Sequence, residues 1–474
     1  MPEEKKGIEG INYADAGVSI TAQNEVNAKI KKVMQELGLS AEGLFGGAVD
    51  ISHLKGKDSV PIGVVSKSLF DDESLVAAGR LTCDMTLDDV DEGTEPIAIL
   101  DYYASEGMEV DEVPDFVKGV ATAGIERGVP TIGGESAEMP GTYNEGKRDS
   151  YVHVITHGDQ GTTVDIANLI KDMEKPLLCA SSDGTGTKTR IVKDPRDIIY
   201  HGGNDLGAIG VKVVAFSLYV AGNDSQEELE HIAAKSERIC ETLGITAIDP
   251  TIEFKPEEYA EGQVDIAATV IGVIDEKDLI TGEEVEEGDI IIGFATDCLM
   301  TNGYSLAREY CKIIDEDWDS YNLEGLERTS ISDELSKPHV PYTDILFGNE
   351  ESEGILSRFK GQIKATAHIT GGGQKDNIER MVPDGLCAEV KQEVLPLPPI
   401  VSYFMQNNAD FNSLYEAFNM GVGFTVTVGE DIADEVVKYV NDCFKNSIHY
   451  VSRTAARIGT ITQPENEEKF RWIE

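Results

Sequence analysis

The chain has 474 residues, 41% of them apolar, enough sequence for two to four domains with substantial cores. Its 40 basic against 87 acidic side chains give a formal charge of −47 with no basic stripe, which argues against nucleic acid and anionic membranes as partners. No apolar run is long enough to span a bilayer and the opening MPEEKKGIEG has no apolar signal core, so a soluble, cytoplasmic protein is expected.

The seven cysteines are scattered and never spaced C-x-x-C, the pattern of reduced core residues and not of a disulfide framework or zinc site. So large an acid excess strains a compact fold by self-repulsion, which concentrated salt screens; a salt-rich cytoplasm is the hypothesis this raises.

In chain order, EVNAKIKKVMQEL carries Val26, Ile30, Val33, Met34 and Leu37 at helical spacing. PLLCASS (176–182) and VKVVAFSLYV (211–220) read as buried strands, short, apolar and bounded by polar turns. Between them lies SSDGTGTKTR (181–190), which resembles a phosphate loop although Thr187 separates Gly186 from Lys188, against the Gly-Lys pair of the common P-loop. In the window 175–196 five cations (Lys175, Lys188, Arg190, Lys193, Arg196) face only Asp183 and Asp194, so an anionic ligand repelled elsewhere would be drawn there. EELEHIAAKSERICETLG then supplies a second apolar stripe through Leu229, Ile232, Ala233, Ile239, Cys240 and Leu243. Further on, ITGGGQKDNIERMV reads as a strand, a glycine turn and a helix, a candidate anion site at Gly371, Gly372 and Gly373, with His368 just before it.

A repeat underlies this order. GVPTIGGESAEMPGTY (128–143) lies over GITAIDPTIEFKPEEY (244–259) at an offset of 116, and EGTEPIAILDYYA (92–104) over IGVKVVAFSLYVA (209–221) at 117. A helical pattern precedes and a strand follows each block, so two similar modules of roughly 115 residues are expected.

YADAGVSI, LDYYA, GGESAEMPGTY, DGTGTK, TNGYSL, AHITGGG with NIERMVPDG, and FNMGVGF together resemble the aminoimidazole ribonucleotide synthetase (phosphoribosylformylglycinamidine cyclo-ligase) family. A usual member has one N-terminal module, with DGTGTK, an Asn-Asp pair, LDYYA and GGE-AEMP in that order. Here the first module keeps LDYYA and GGESAEMPG but reads VSKSLFDDES (65–74) at the DGTGTK position; the second keeps DGTGTK but has SLYVA for LDYYA and Asp249-Pro250-Thr251 for GGE. The modules look like complementary halves of one site. The resemblance implies an α/β fold of α+β type: two tandem sheet-plus-helix modules, 1–165 and 166–281, pairing within the chain as a pseudo-dimer barrel, then a C-terminal α/β domain, 282–474.

It also implies ATP-dependent cyclisation of formylglycinamidine ribonucleotide in purine biosynthesis, with Mg²⁺ as cofactor and ATP and that ribonucleotide as ligands. The chain would be a monomer with an internal pseudo-dimer, or a homodimer. Asp183, Gly184, Thr185, Gly186, Thr187 and Lys188 would hold ATP, and Asp183, Asp205 and Asp88 would hold the metal. Asp205, in GGNDLG, matches either the family's Asn-Asp pair, with Asn204 beside it, or an earlier family aspartate. Lys188, Glu135 and His368 are the catalytic candidates. Asp101, Tyr102, Gly133, Gly134, Glu138 and Gly371 to Gly373 are the candidates for the substrate. Two readings stay open beside this one: another ATP-dependent enzyme of the same superfamily, and a degenerate homologue that regulates or scaffolds without catalysis.

Overall fold

The computed structural model describes residues 8, 10–12, 14–18, 20–39, 46–68, 74–107, 110–314, 317–320, 326, 329–349, 352–392, 394–446, 453–464, 466 and 468–473. Within the expected loop 65–74, residues 69–73 lie outside the described set, as do Tyr13 and Ser19 of YADAGVSI. The chain divides into two compact units: a sheet-pair unit, Gly17–Leu206 with Val211–Leu279, and a C-terminal unit, Ile280–Glu474 with Met1–Ala16 and Gly207–Gly210. The division falls near 280, and residues 165 and 166 both lie inside the first unit.

The sheet-pair unit runs α1 (Ile20–Glu36), β1 (Gly47–Asp50), β2 (Pro61–Ser68), α2 (Leu75–Asp88), β3 (Glu95–Ser105), α3 (Glu112–Arg127), β4 (Thr131–Glu138), β5 (Arg148–His157) and β6 (Val164–Asp165). It continues with α4 (Ala167–Ile170), β7 (Pro176–Gly184), α5 (Arg196–Ala208), β8 (Val213–Gly222), α6 (Gln226–Leu243), β9 (Thr246–Phe254) and β10 (Val264–Asp275). Two five-stranded sheets result, in the orders β4-β3-β5-β2-β6 and β9-β8-β10-β7-β1. The first four positions are the same once each strand is replaced by its counterpart one module later, and the fifth is taken in each sheet by the other module's leading strand. The repeat in sequence is thus a repeat in topology.

Alternation along β3 shows how a module is layered. Leu100, Tyr102 and Ala104 face the other sheet, while Ile99 and Tyr103 pack on α2 and α3 with Cys83, Phe116 and Val120. Helices α3 and α6 stop at Gly128 (φ +74) and Gly244 (φ +69), left-handed caps that open the two aligned blocks. Between the sheets one core holds Ile62, Ile97, Ala98 and Leu100 against Leu178, Ala180, Ala215, Ile248 and Ile271.

The short outer strands are exchanged. β1, which precedes the first module's sheet, hydrogen-bonds along β7 of the second, and β6, which precedes the second module's sheet, pairs with β2 of the first. Among the described residues no ladder joins the two sheets, so the pair is a face-to-face sandwich and not the closed barrel the resemblance suggests.

The C-terminal unit carries β11 (Ile290–Ala295), β12 (Ile363–His368), β13 (Cys387–Lys391), β14 (Val422–Val428), β15 (Ala455–Thr462) and β16 (Phe470–Ile473) in one sheet, ordered β12-β14-β11-β15-β13-β16. Phe294, Tyr342, Phe424 and Phe444 pack as an aromatic group on it. All seven cysteines are buried thiols, none in a disulfide, as their scatter predicts. Among the described residues no helix is long and apolar enough to cross a membrane.

Candidate active site

β7 delivers the loop. It runs to Gly184 and turns through Gly186 to Arg190, burying Thr187, Lys188 and Thr189. Gly184 accommodates its neighbour: a Cβ there would lie 2.5 Å from the Tyr102 hydroxyl, so only glycine lets the first module's tyrosine pack under the loop. Asp183 accepts from the Gly184 N–H at 2.5 Å and keeps about a quarter of its side chain exposed (23%).

Helix α5 supplies the facing groups. Asp197, His201 and Asp205 follow at intervals of four and so share one helix face. His201 Nε2 lies 2.7 Å from Asp183 and 3.4 Å from Asp205, joining loop to helix. Burial opposes its charged form, but Asp183 and Asp205 outweigh burial and push its pKa up to about 9, so the ring is an imidazolium at neutral pH. Asn204 is buried beside Asp205. The first module adds Glu135 from β4, partly buried, whose carboxyl is pushed up to about 8 by desolvation and then by the Asp183 charge. Arg190 of the loop donates to the Pro140 carbonyl at 2.7 Å, tying DGTGTK of one module to AEMPG of the other.

Several expected roles meet a different geometry. The Lys188 ammonium is fully buried and paired with Asp197 at 2.7 Å, both side chains 0% exposed, so it fastens the loop to α5. The other cations of 175–196 are engaged as well: Lys175 with Glu276, Lys193 with Asp224, Arg196 with Asp194. Asp88 ends α2, is 69% exposed and pairs with Arg127, apart from the Asp183 group.

Asp101 and Tyr102 do not line one pocket, because strand alternation sends them to opposite faces. Tyr102 donates to Asp265 at 2.9 Å between the sheets. Asp101 lies on the helix-covered face, 3% exposed, with no hydrogen-bond partner for Oδ2 among the described residues; burial pushes its pKa up to about 7. The space that Gly134 leaves holds this carboxylate, since a Cβ there would sit 2.0 Å from Asp101 Oδ1. A Cβ on Gly133 would meet only an ordinary contact with Leu100. Glu138 points from β4 to the face opposite Glu135.

In the C-terminal unit, His368 ends β12 fully buried, its Nε2 3.1 Å from Nε2 of His339. Gly371 to Gly373 form the turn into a six-residue helix, and the Asn377 amide donates to the carbonyls of Gly371 (3.1 Å) and Gly373 (2.7 Å). His201 and Asp197 were not singled out from the sequence; the D-x-x-x-H-x-x-x-D spacing that places them on one helix face was the available signal.

A sheet pair with a glycine–threonine turn, three clustered carboxylates and an imidazolium defines a mixed α/β protein whose two modules meet at a charged cluster. Residues 62–157 and 165–274 match the family model described as AIR synthase related protein, N-terminal domain, and 286–468 match the C-terminal domain of the same description. The chain belongs to the AIR synthase family. It is 32% identical over 293 residues to the phosphoribosylformylglycinamidine cyclo-ligase of Staphylococcus aureus strain JH9, covering 59% of this chain and 81% of that protein. To that of Alkaliphilus metalliredigens it is 30% identical over 285 residues, 57% and 78% covered. Among solved structures, E. coli HypE aligns with a TM-score of 0.47 and 17% identity over 67% of this chain and 87% of that one.

Proposed function

We propose that the protein catalyses ATP-dependent ring closure of formylglycinamidine ribonucleotide to aminoimidazole ribonucleotide, releasing ADP and phosphate, in a single site composed from both N-terminal modules. The observation that carries this is the meeting of Glu135 from the first module with Asp183, His201 and Asp205 from the second, in a chain whose relatives bear the cyclo-ligase name.

The chemistry asks for little covalent help. The γ-phosphoryl group of ATP passes to the substrate's amide oxygen, an internal amine attacks the activated carbon, and phosphate leaves with that oxygen. Gly186, at φ +64 with nothing within 4 Å of where a Cβ would lie, lets the loop's backbone N–H groups approach the triphosphate. Lys188, through Asp197, holds that loop on α5 as a positioning residue. His201 keeps a proton between Asp183 and Asp205 and balances their charge.

Hard carboxylate oxygens at Asp183, Asp205 and Glu135 fit Mg²⁺, which when bound would neutralise charge developing on the transferring phosphoryl group. Asp88 is left out of this set because it pairs with Arg127. Gly371 to Gly373 and His368 stay our candidates for the ribose phosphate and for proton transfer. A cytoplasmic, salt-adapted setting remains part of the reading, supported by the charge of −47.

The test is ADP release by the purified chain with ATP, Mg²⁺ and formylglycinamidine ribonucleotide, at low and at molar KCl, beside Asp183→Asn. Substrate-dependent turnover that falls about 100-fold or more in the variant is expected. A folded wild type with no turnover at either salt overturns the proposal and leaves the degenerate homologue.

A further inference from the structure

Positions 116 or 117 apart meet face to face between the sheets. Tyr143 and Tyr259 bridge each other with their hydroxyls 3.2 Å apart, and the Asn144 N–H bonds Glu258 O as the Ala260 N–H bonds Thr142 O. Tyr143 donates to Asp265 at 2.8 Å, and Tyr259 to Asp149 at 2.7 Å. Tyr102 donates to the same Asp265 at 2.9 Å, and Tyr219 to the same Asp149 at 2.7 Å. Each contact has a mirror under the exchange of modules, so the unit has an internal two-fold axis through the Tyr143–Tyr259 pair.

A two-fold axis makes two half-sites. The first, at Gly184 and Tyr102, is the candidate active site. The second is built from the counterpart positions, and its residues differ in two coordinated ways. The groups suited to a cation and a polyanion are gone: Lys67 stands at the register position of Asp183 and pairs with Asp89, Thr251 stands for Glu135, and Asp88, the counterpart of Asp205, pairs with Arg127.

The space is filled as well. Gly184, Ala137 and Met139 of the first half correspond to Ser68, Glu253 and Lys255. Met139 only touches the Tyr102 hydroxyl, sulfur to oxygen at 3.8 Å, whereas the Lys255 ammonium lies 3.0 Å from the Tyr219 hydroxyl. The same ammonium also reaches Asp149 (2.6 Å), Ser68 (2.8 Å) and Glu253 (2.8 Å), and Ser68 donates to Glu253. Four acceptors saturate its three N–H donors, and its side chain is 15% exposed.

We infer that the second half-site is occupied by the chain's own Lys255 ammonium and takes no nucleotide, so that each chain binds one nucleotide where two modules would otherwise make two sites. The inference rests on the reading that the Asp183–Lys188 loop binds ATP. An incoming triphosphate at the second half would face the Glu253 carboxylate with no carboxylate at position 67 to share a metal ion.

Equilibrium dialysis of the full chain with Mg²⁺ and a non-hydrolysable β,γ-imido ATP analogue tests this. One nucleotide per wild-type chain is expected, none in Asp183→Asn, and one in Lys255→Met. The variant Ser68→Gly/Glu253→Ala/Lys255→Met, which carries the first half's own residues and leaves no buried charge of the Lys255–Glu253 pair behind, is likewise expected to bind one, should the single Lys255→Met chain fail to fold. Two nucleotides per wild-type chain overturn the inference. One nucleotide retained by Asp183→Asn overturns it too, by putting the occupied site elsewhere. None in the folded wild type overturns the loop reading itself, a distinct result, and the inference with it.

Discussion

Asp101→Asn isolates one buried carboxylic acid whose cost is set by pH. Burial raises the Asp101 pKa from 3.8 to about 7. Between those values the native chain holds a proton that the unfolded chain has released, so stability falls as pH rises through this window and levels off above it. At 1.36 kcal/mol per pKa unit, the loss between pH 5 and pH 8 comes to about 3 kcal/mol. Asparagine keeps the shape beside Gly134 and carries no charge, so the variant lacks this part of the slope. Pairing penalties of the new amide, about 1–3 kcal/mol, are independent of pH and cancel in the comparison of slopes. Glu135, pushed up to about 8, and Asp265, pushed up to about 6, act in the same direction in both proteins and cancel too. Urea unfolding is followed by far-ultraviolet circular dichroism, with the fluorescence of Trp318 and Trp472 reporting the C-terminal unit separately. Wild type is expected to lose about 3 kcal/mol more than Asp101→Asn over that pH range. Parallel pH profiles for the two proteins would refute the assignment of a protonated Asp101.

Lys188→Met removes the buried cationic partner of the Asp197 carboxylate and should cost about 3–5 kcal/mol in urea, while Lys188→Met/Asp197→Leu should recover much of it. Equal losses in single and double variants would instead assign Lys188 a role outside the pair. With a net charge of −47, thermal midpoint should rise between low salt and molar KCl, where the screening length shrinks to about 3 Å. A midpoint that is flat or falls over that range would remove the salt hypothesis.

What the sequence made legible was what repeats or what sits in short contiguous words. The offset of 116 gave the two modules, and LDYYA, GGESAEMPG and DGTGTK gave the family and the loop. What it hid was pairing over distance. The cation window 175–196 stopped one residue before Asp197, the partner that buries Lys188, and Glu276 and Asp224 neutralise two more of its lysines from far along the chain. Adjacent Asp101 and Tyr102 read as one pocket because the motif is contiguous; the pleat separates them. With 87 acids present, nothing in composition marks the few that gather around His201; only the four-residue spacing on α5 does. The exchanged strands β1 and β6 are four and two residues long, too short for any periodicity.

That exchange sets a timetable for synthesis. Asp50 of β1 pairs with Leu177 of β7, roughly 130 residues later. At a translation rate of about 5–20 residues per second, β1 waits roughly ten seconds before its partner exists, and the first module's sheet lacks its outer strand until β6 emerges. Neither half can reach its final hydrogen bonding while the other is unmade, so the two modules mature as a single late event. Because donor and acceptor strands travel on one polypeptide, that event does not slow on dilution, as the assembly of two separate chains would.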